Sequence, residues 1–115
     1  MNKFRPSSRL RAKKEFDFVF SAPSKIVTKY FVLLYRSNVV KSARLGIIVP
    51  KKKVQESHDR NRIKRIVREV FRTRINLPNI DLVFLARFGI STADNKALIN
   101  ALTAELRALA ETQPT

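Results

Sequence analysis

Between residues 51 and 74 the chain reads KKKVQESHDRNRIKRIVREVFRTR, in which ten lysines and arginines stand against Glu56, Asp59 and Glu69. A surplus of this density favours one chemistry, the electrostatic capture of a polyanion. The core of the run, RNRIKR at 60–65, is rich in arginine. A guanidinium grips phosphate through two parallel hydrogen bonds and stacks on bases, which a point-charge ammonium does less well. Acids at i+3 or i+4 that would neutralise the run are nearly absent. A second group of candidates precedes it: Phe16, Phe20, Tyr30 and Phe31 lie among Arg11, Lys13, Lys14 and Lys29. Single-stranded nucleic acid is held by such a mixture, with rings stacking bases while cations track the backbone. Phe16, Val19 and Phe20 are also spaced as one helix face, which usually means core.

Protein-borne catalysis has little to work with. His58 is the only histidine, and its neighbour Asp59 points about 100° away on a helix, so it cannot orient the imidazole as a triad carboxylate would. Glu15 and Asp17 are separated around their helix in the same way. Cysteine is absent, which removes disulfides, thiolate metal sites and a thiol nucleophile together. The two glycines, Gly46 and Gly89, make no phosphate-cradling loop, and Gly46 inside an apolar run suggests close backbone approach. No metal or cofactor is expected on the protein, and no small-molecule substrate.

The whole chain carries the same bias. Its 115 residues have a formal charge of +15 and a pI near 11.2, with 44% hydrophobic residues. That apolar content is enough for one globular core, so residues 1–115 are expected to form a single domain. Fifteen surplus charges on a small folded body repel one another, and a polyanionic partner relieves the strain. No apolar run reaches the 18 residues of a membrane span, and the start lacks the apolar centre of a secretion signal. Nucleic acid is the first candidate for the polyanion and an anionic membrane surface the second; no membrane partner is expected, and a cytoplasmic location is. The basic, serine-containing start leaves an organellar transit peptide as a weaker alternative.

The elements that must position these groups follow from periodicity. Residues 1–11 should be an extended basic arm, and 112–115 a disordered tail. A short helix is predicted over 12–21, stopped by Pro23. KIVTKYFVLLYR, 25–36, reads as one long strand and ARLGIIVP, 43–50, as a second; their short connection suggests an antiparallel hairpin. Ile63, Ile66, Val67, Val70 and Phe71 predict a helix from Ser57 to about Ile75, with Ser57 as N-cap and Asn76-Leu77-Pro78 ending it. On a helical wheel Asn61, Arg65, Arg68 and Arg72 fall opposite that stripe, with Arg62 and Lys64 on its flanks. DLVFLAR, 81–87, is a third strand, and Leu98, Leu102, Leu106 and Leu109 predict a terminal helix over 94–111. The fold class is α+β.

PKKKV followed by RNRIKRIVREVFR resembles the signature of the bacterial ribonuclease P protein component. The likeness extends to RLRAKKEFDFVF, RLGIIVPKK and DLVFLARFGI, and so spans nearly the whole chain. It implies a single sheet, an antiparallel hairpin plus one parallel strand reached through a left-handed βαβ crossover, packed with helices. It also implies a subunit of a ribonucleoprotein that removes the 5′ leader of precursor tRNA, with hydrolysis carried by Mg2+ on the catalytic RNA. By position, Arg60, Asn61, Arg62, Lys64, Arg65 and Arg68 with Lys51 and Lys52 would face the catalytic RNA. Phe16, Phe20, Tyr30, Arg11 and Lys13 would line a cleft for the leader. Leu34 departs from the pattern, since many members carry an aromatic there. A structural ribosomal-type protein is the alternative, although its charge would normally sit in a long basic tail. A major-groove DNA reader would show more Gln, Ser or Thr among its base-contacting residues, and a dimer seam.

Overall fold

A computed structural model describes residues 9–38, 42–73 and 77–112. Helix α1 covers Lys13–Ser21, strand β1 Ser24–Val27, β2 Phe31–Ser37, β3 Arg44–Ile48, helix α2 Ser57–Thr73, β4 Ile80–Ala86 and α3 Asn95–Thr112, with a short 3-10 turn at Ile90–Thr92. The strands form one mixed sheet in the order β1-β2-β4-β3. The expected tail at 113–115, most of the basic arm and the end of the α2 segment at 74–76 lie outside the described residues.

Two expectations about the sheet are corrected. The single strand at 25–36 is a hairpin in itself, with β1 antiparallel to β2 in the register Val27↔Val32. No Gly, Pro or Asn marks the turn. Thr28 makes it instead: its backbone N–H and hydroxyl both donate to the Phe31 carbonyl, and its hydroxyl accepts from the Phe31 N–H at 3.1 Å. The second correction is that β2 does not pair with β3. Strand β4 lies between them, antiparallel to β2 and parallel to β3, with Leu33↔Phe84 and Ile47↔Phe84 in register. IDLVFLA is the most continuously apolar strand, and the central position buries it on both faces.

On one face, Phe31, Leu33, Leu45, Leu82 and Phe84 meet Ile63, Val67 and Val70 of α2 and Leu98, Leu102, Leu106 and Leu109 of α3 in the main core. Each such side chain contributes roughly 1.5–3 kcal/mol on burial. The other face carries a smaller cluster in which Val19 of α1 and Leu10 cover Leu34 and Val83. Asp94 starts α3, its carboxylate accepting the Ala97 N–H at 2.7 Å.

Asp81 is the exception in β4, a fully buried carboxylate. It accepts two bonds from Arg44, at 2.9 and 2.8 Å, and one from the Asn38 amide at 2.7 Å. The remaining Arg44 nitrogen reaches Glu15 at 3.1 Å, and the other Glu15 oxygen accepts the Arg11 and Ala12 N–H groups that open α1. Removing one partner of such a pair strands a buried charge, so Asp81→Ala should lose about 3–5 kcal/mol of unfolding free energy in urea, while an apolar Arg44→Met, Asp81→Leu pair should recover most of it. The Arg11 and Ala12 N–H groups hold the Glu15 carboxyl below the ordinary glutamate range; burial opposes them in part, and weaker attraction from Arg44 and Lys14 assists. A depressed pKa stabilises the fold above about pH 4.3 and is lost as pH falls through the folded value. Glu15→Gln should therefore lower the melting temperature at pH 7, and the difference from wild type should shrink progressively as pH falls below about 4.

Candidate RNA interface

Helix α2 buries Ile63, Ile66, Val67, Val70 and Phe71 and turns the rest of its circumference outward. The RNRIKR residues do not share one task. Arg60 donates to the carbonyls of Val54 and Gln55 at 2.9 and 2.8 Å and so fastens the loop that enters the helix. Arg62 donates to the carbonyls of Ala93 and Ser91 and to Asn95 Oδ1, tying α2 to the start of α3. Both guanidinium groups, expected to face RNA, are thus engaged within the protein by loop carbonyls while remaining half-exposed. The side chains of Asn61, Lys64, Arg65 and Arg68 have no hydrogen bond or ion pair among the described residues, and Asn61 and Arg65 are exposed. Arg72 pairs with Glu69. Lys51 and Lys52 are exposed just past β3.

Across the sheet, α1 presents Phe16 and Phe20 with ring centroids 6.3 Å apart. Phe16 lies on the backbone of β3 at Gly46, where a Cβ would stand 2.5 Å from its Cε1. Only glycine leaves room for the ring. Phe20 is largely exposed, and Val32 and Ile48 are half-buried beside this cluster. Leu34 is buried beneath α1, a floor position rather than an open one. Tyr30 is not part of this surface, because it packs against the α2–α3 core. Phe31 is also buried there, 5.1 Å from Phe84. Phe31 opens β2 on the core face and Tyr30 sits in the turn before it, so the two adjacent rings escape the opposite facing that one continuous strand over 25–36 predicts. Arg11 and Lys13 are exposed at the start of α1, and Lys13 pairs with Asp17 at 2.8 Å, which raises its pKa.

One feature was not legible from spacing. A groove of about 170 Å³, lined by Arg9, Phe16, Gly46, Ile47, Lys64 and Arg68, runs past the β3 edge and joins the two surfaces. Lys64 and Arg68, four residues apart on α2, therefore adjoin the Phe16 ring. Their spacing was a signal, but the neighbour was not. His58 Nε2 stands 3.7 Å from Asp59, too far for a hydrogen bond, on a largely exposed side chain. Among the described residues no three His, Asp or Glu side chains are grouped to hold a metal ion, and no helix is long and apolar enough to cross a membrane.

Comparison with known proteins bears on the family and the fold. The family model Ribonuclease P matches residues 4–110. The chain belongs to the ribonuclease P protein family. It is 47% identical over 92 residues to the ribonuclease P protein component of Legionella pneumophila (strain Lens), covering 80% of each chain. The corresponding protein of Pseudoalteromonas atlantica is 42% identical over 111 residues, 96% of this chain and 92% of that one. The solved ribonuclease P protein of Thermotoga maritima superposes with a TM-score of 0.76 at 30% identity, covering 92% and 98% of the two chains. The mixed sheet with three helices is the family's fold, and family membership removes the ribosomal alternative.

The division of labour among the arginines is directly testable. Arg62→Ala leaves carbonyls without a donor and should lower unfolding free energy by roughly 1–3 kcal/mol, whereas Arg65→Ala should leave the melting curve unchanged. Gly46→Ala must displace the Phe16 ring or lift α1, a loss of roughly 1–3 kcal/mol by overpacking, readable in the same melts.

Proposed function

We propose that this chain is the protein subunit of a ribonuclease P ribonucleoprotein and promotes 5′ maturation of tRNA while its RNA partner carries the chemistry. The observation that carries the reading is the outward face of α2. There Asn61, Lys64, Arg65 and Arg68 stay free of protein partners although the fold uses Arg60 and Arg62 internally. Together with Lys51 and Lys52 they form the surface for the catalytic RNA, with Arg60 and Arg62 holding its shape. Phe16 and Phe20, flanked by Arg11 and Lys13, receive the single-stranded leader of precursor tRNA. Hydrolysis belongs to Mg2+ held by the catalytic RNA, and the work takes place in the cytoplasm. The groove past Gly46 makes the two surfaces contiguous, so Lys64 and Arg68 can neutralise phosphates of either strand.

Arg65→Ala combined with Arg68→Ala should weaken binding of the catalytic RNA and flatten its salt dependence by roughly 0.7 to 0.9 log units of affinity per log unit of salt for each lost phosphate contact. An unchanged slope in filter-binding titrations would refute the assignment. Phe20→Ala should weaken precursor tRNA by about 1–3 kcal/mol per lost stacked base and leave mature tRNA unaffected. The same ratio of precursor to mature affinity as in the wild type would remove the cleft from the proposal.

A further inference from the structure

Three connections meet at one end of the sheet. Phe31 pairs with Ala86, so the β1–β2 turn lies where β4 finishes. Ile48 pairs in parallel with Leu85, so Lys51 and Phe88 each stand three residues beyond partners in register. Residues 28–30, 49–56 and 87–89 therefore leave the sheet side by side. They carry Lys29, Lys51, Lys52, Lys53 and Arg87 against Glu56 as the only acid.

Phe88 stands among them, 70% exposed and the most exposed of the large hydrophobic side chains in the described residues. Its loop is nonetheless held on both sides. The Arg87 N–H donates to the Tyr30 carbonyl at 3.0 Å and the Arg87 guanidinium to the Thr28 carbonyl at 2.6 Å. Gly89 turns the chain at φ 91°, its carbonyl accepts from Thr92, and the next residue, Ile90, is fully buried. A large ring held out in water by an ordered loop loses hydrophobic stabilisation and recovers it only on contact. Exposed Val27 is at the same end, and Lys29 stands 5.3 Å from the Tyr30 ring. An aromatic platform ringed by cations fits an unpaired nucleobase and its flanking phosphates, whereas an apolar protein partner would have to bury the lysines.

We infer that this end of the sheet is a further RNA contact, in which Phe88 stacks on an unpaired base and the lysines after β3 hold its phosphates. The inference rests on the proposed ribonucleoprotein role and extends it to a surface remote from Phe16 and Phe20 in sequence. The base belongs to the catalytic RNA, because Lys51 and Lys52 beside it already form part of that RNA's proposed surface.

The chain contains no tryptophan, so Phe88→Trp introduces a single fluorescent reporter at the platform. Its emission should stay unchanged with precursor tRNA alone and be quenched on titration with catalytic RNA. Phe88→Ala should weaken binding of that RNA about five- to a hundredfold with an unchanged melting temperature, Phe88→Trp should retain affinity, and Phe88→Leu should not rescue it. Emission indifferent to catalytic RNA, wild-type affinity of Phe88→Ala, or full rescue by leucine would each overturn the inference. Arg65→Ala is measured alongside: if it weakens catalytic RNA while Phe88→Ala does not, this contact alone is lost, and if neither does, the reading of α2 fails with it.

Discussion

A carboxylate with no access to water must be matched by charge and by hydrogen bonds, and Asp81 in the central strand is so placed. Arg44 meets it through two nitrogens and Asn38 through a third bond, so the strand ends of β2, β3 and β4 are drawn to one point. The guanidinium still has a nitrogen to spare, and it reaches Glu15. Glu15 in turn caps the N–H groups at the start of α1. One buried ion pair thus sets where α1 begins, and with it where Phe16 crosses Gly46 and where Phe20 emerges. The apolar contacts of Val19 and Leu10 would permit some sliding of α1, but the carboxylate–guanidinium geometry does not.

The same economy appears in the use of arginine. Arg36 donates to the Phe18 carbonyl and lies 4.0 Å over its ring, Arg60 and Arg62 close loops, and Arg87 joins two strand ends. A fork with several donors satisfies carbonyls that no ladder reaches. Cations not used in this way, including Lys51, Lys52, Lys64, Arg65 and Arg68, collect on α2 and at the adjoining end of the sheet. Their mutual repulsion is uncompensated within the protein, which is why a net charge of +15 implies a partner.

What the sequence alone determined was the three helices, the basic run on the second of them and the family. Hydrophobic periodicity places α2 and α3 within a residue or two at the ends described, because burying a stripe on a cylinder demands that spacing. RNRIKR and its ordered flanks point to the family, and the match over residues 4–110 agrees. Tertiary structure decided the rest. A hairpin turned by a threonine hydroxyl at Thr28 has no compositional mark, so the split of 25–36 was hidden, and the faces of Tyr30 and Phe31 with it. Insertion of β4 between β2 and β3 depends on long-range pairing that no local pattern encodes. Arg60, Arg62 and Arg65 are chemically identical and lie within six residues, yet two satisfy carbonyls and one stays free. That difference arises only from which loops the fold carries to within reach of each guanidinium.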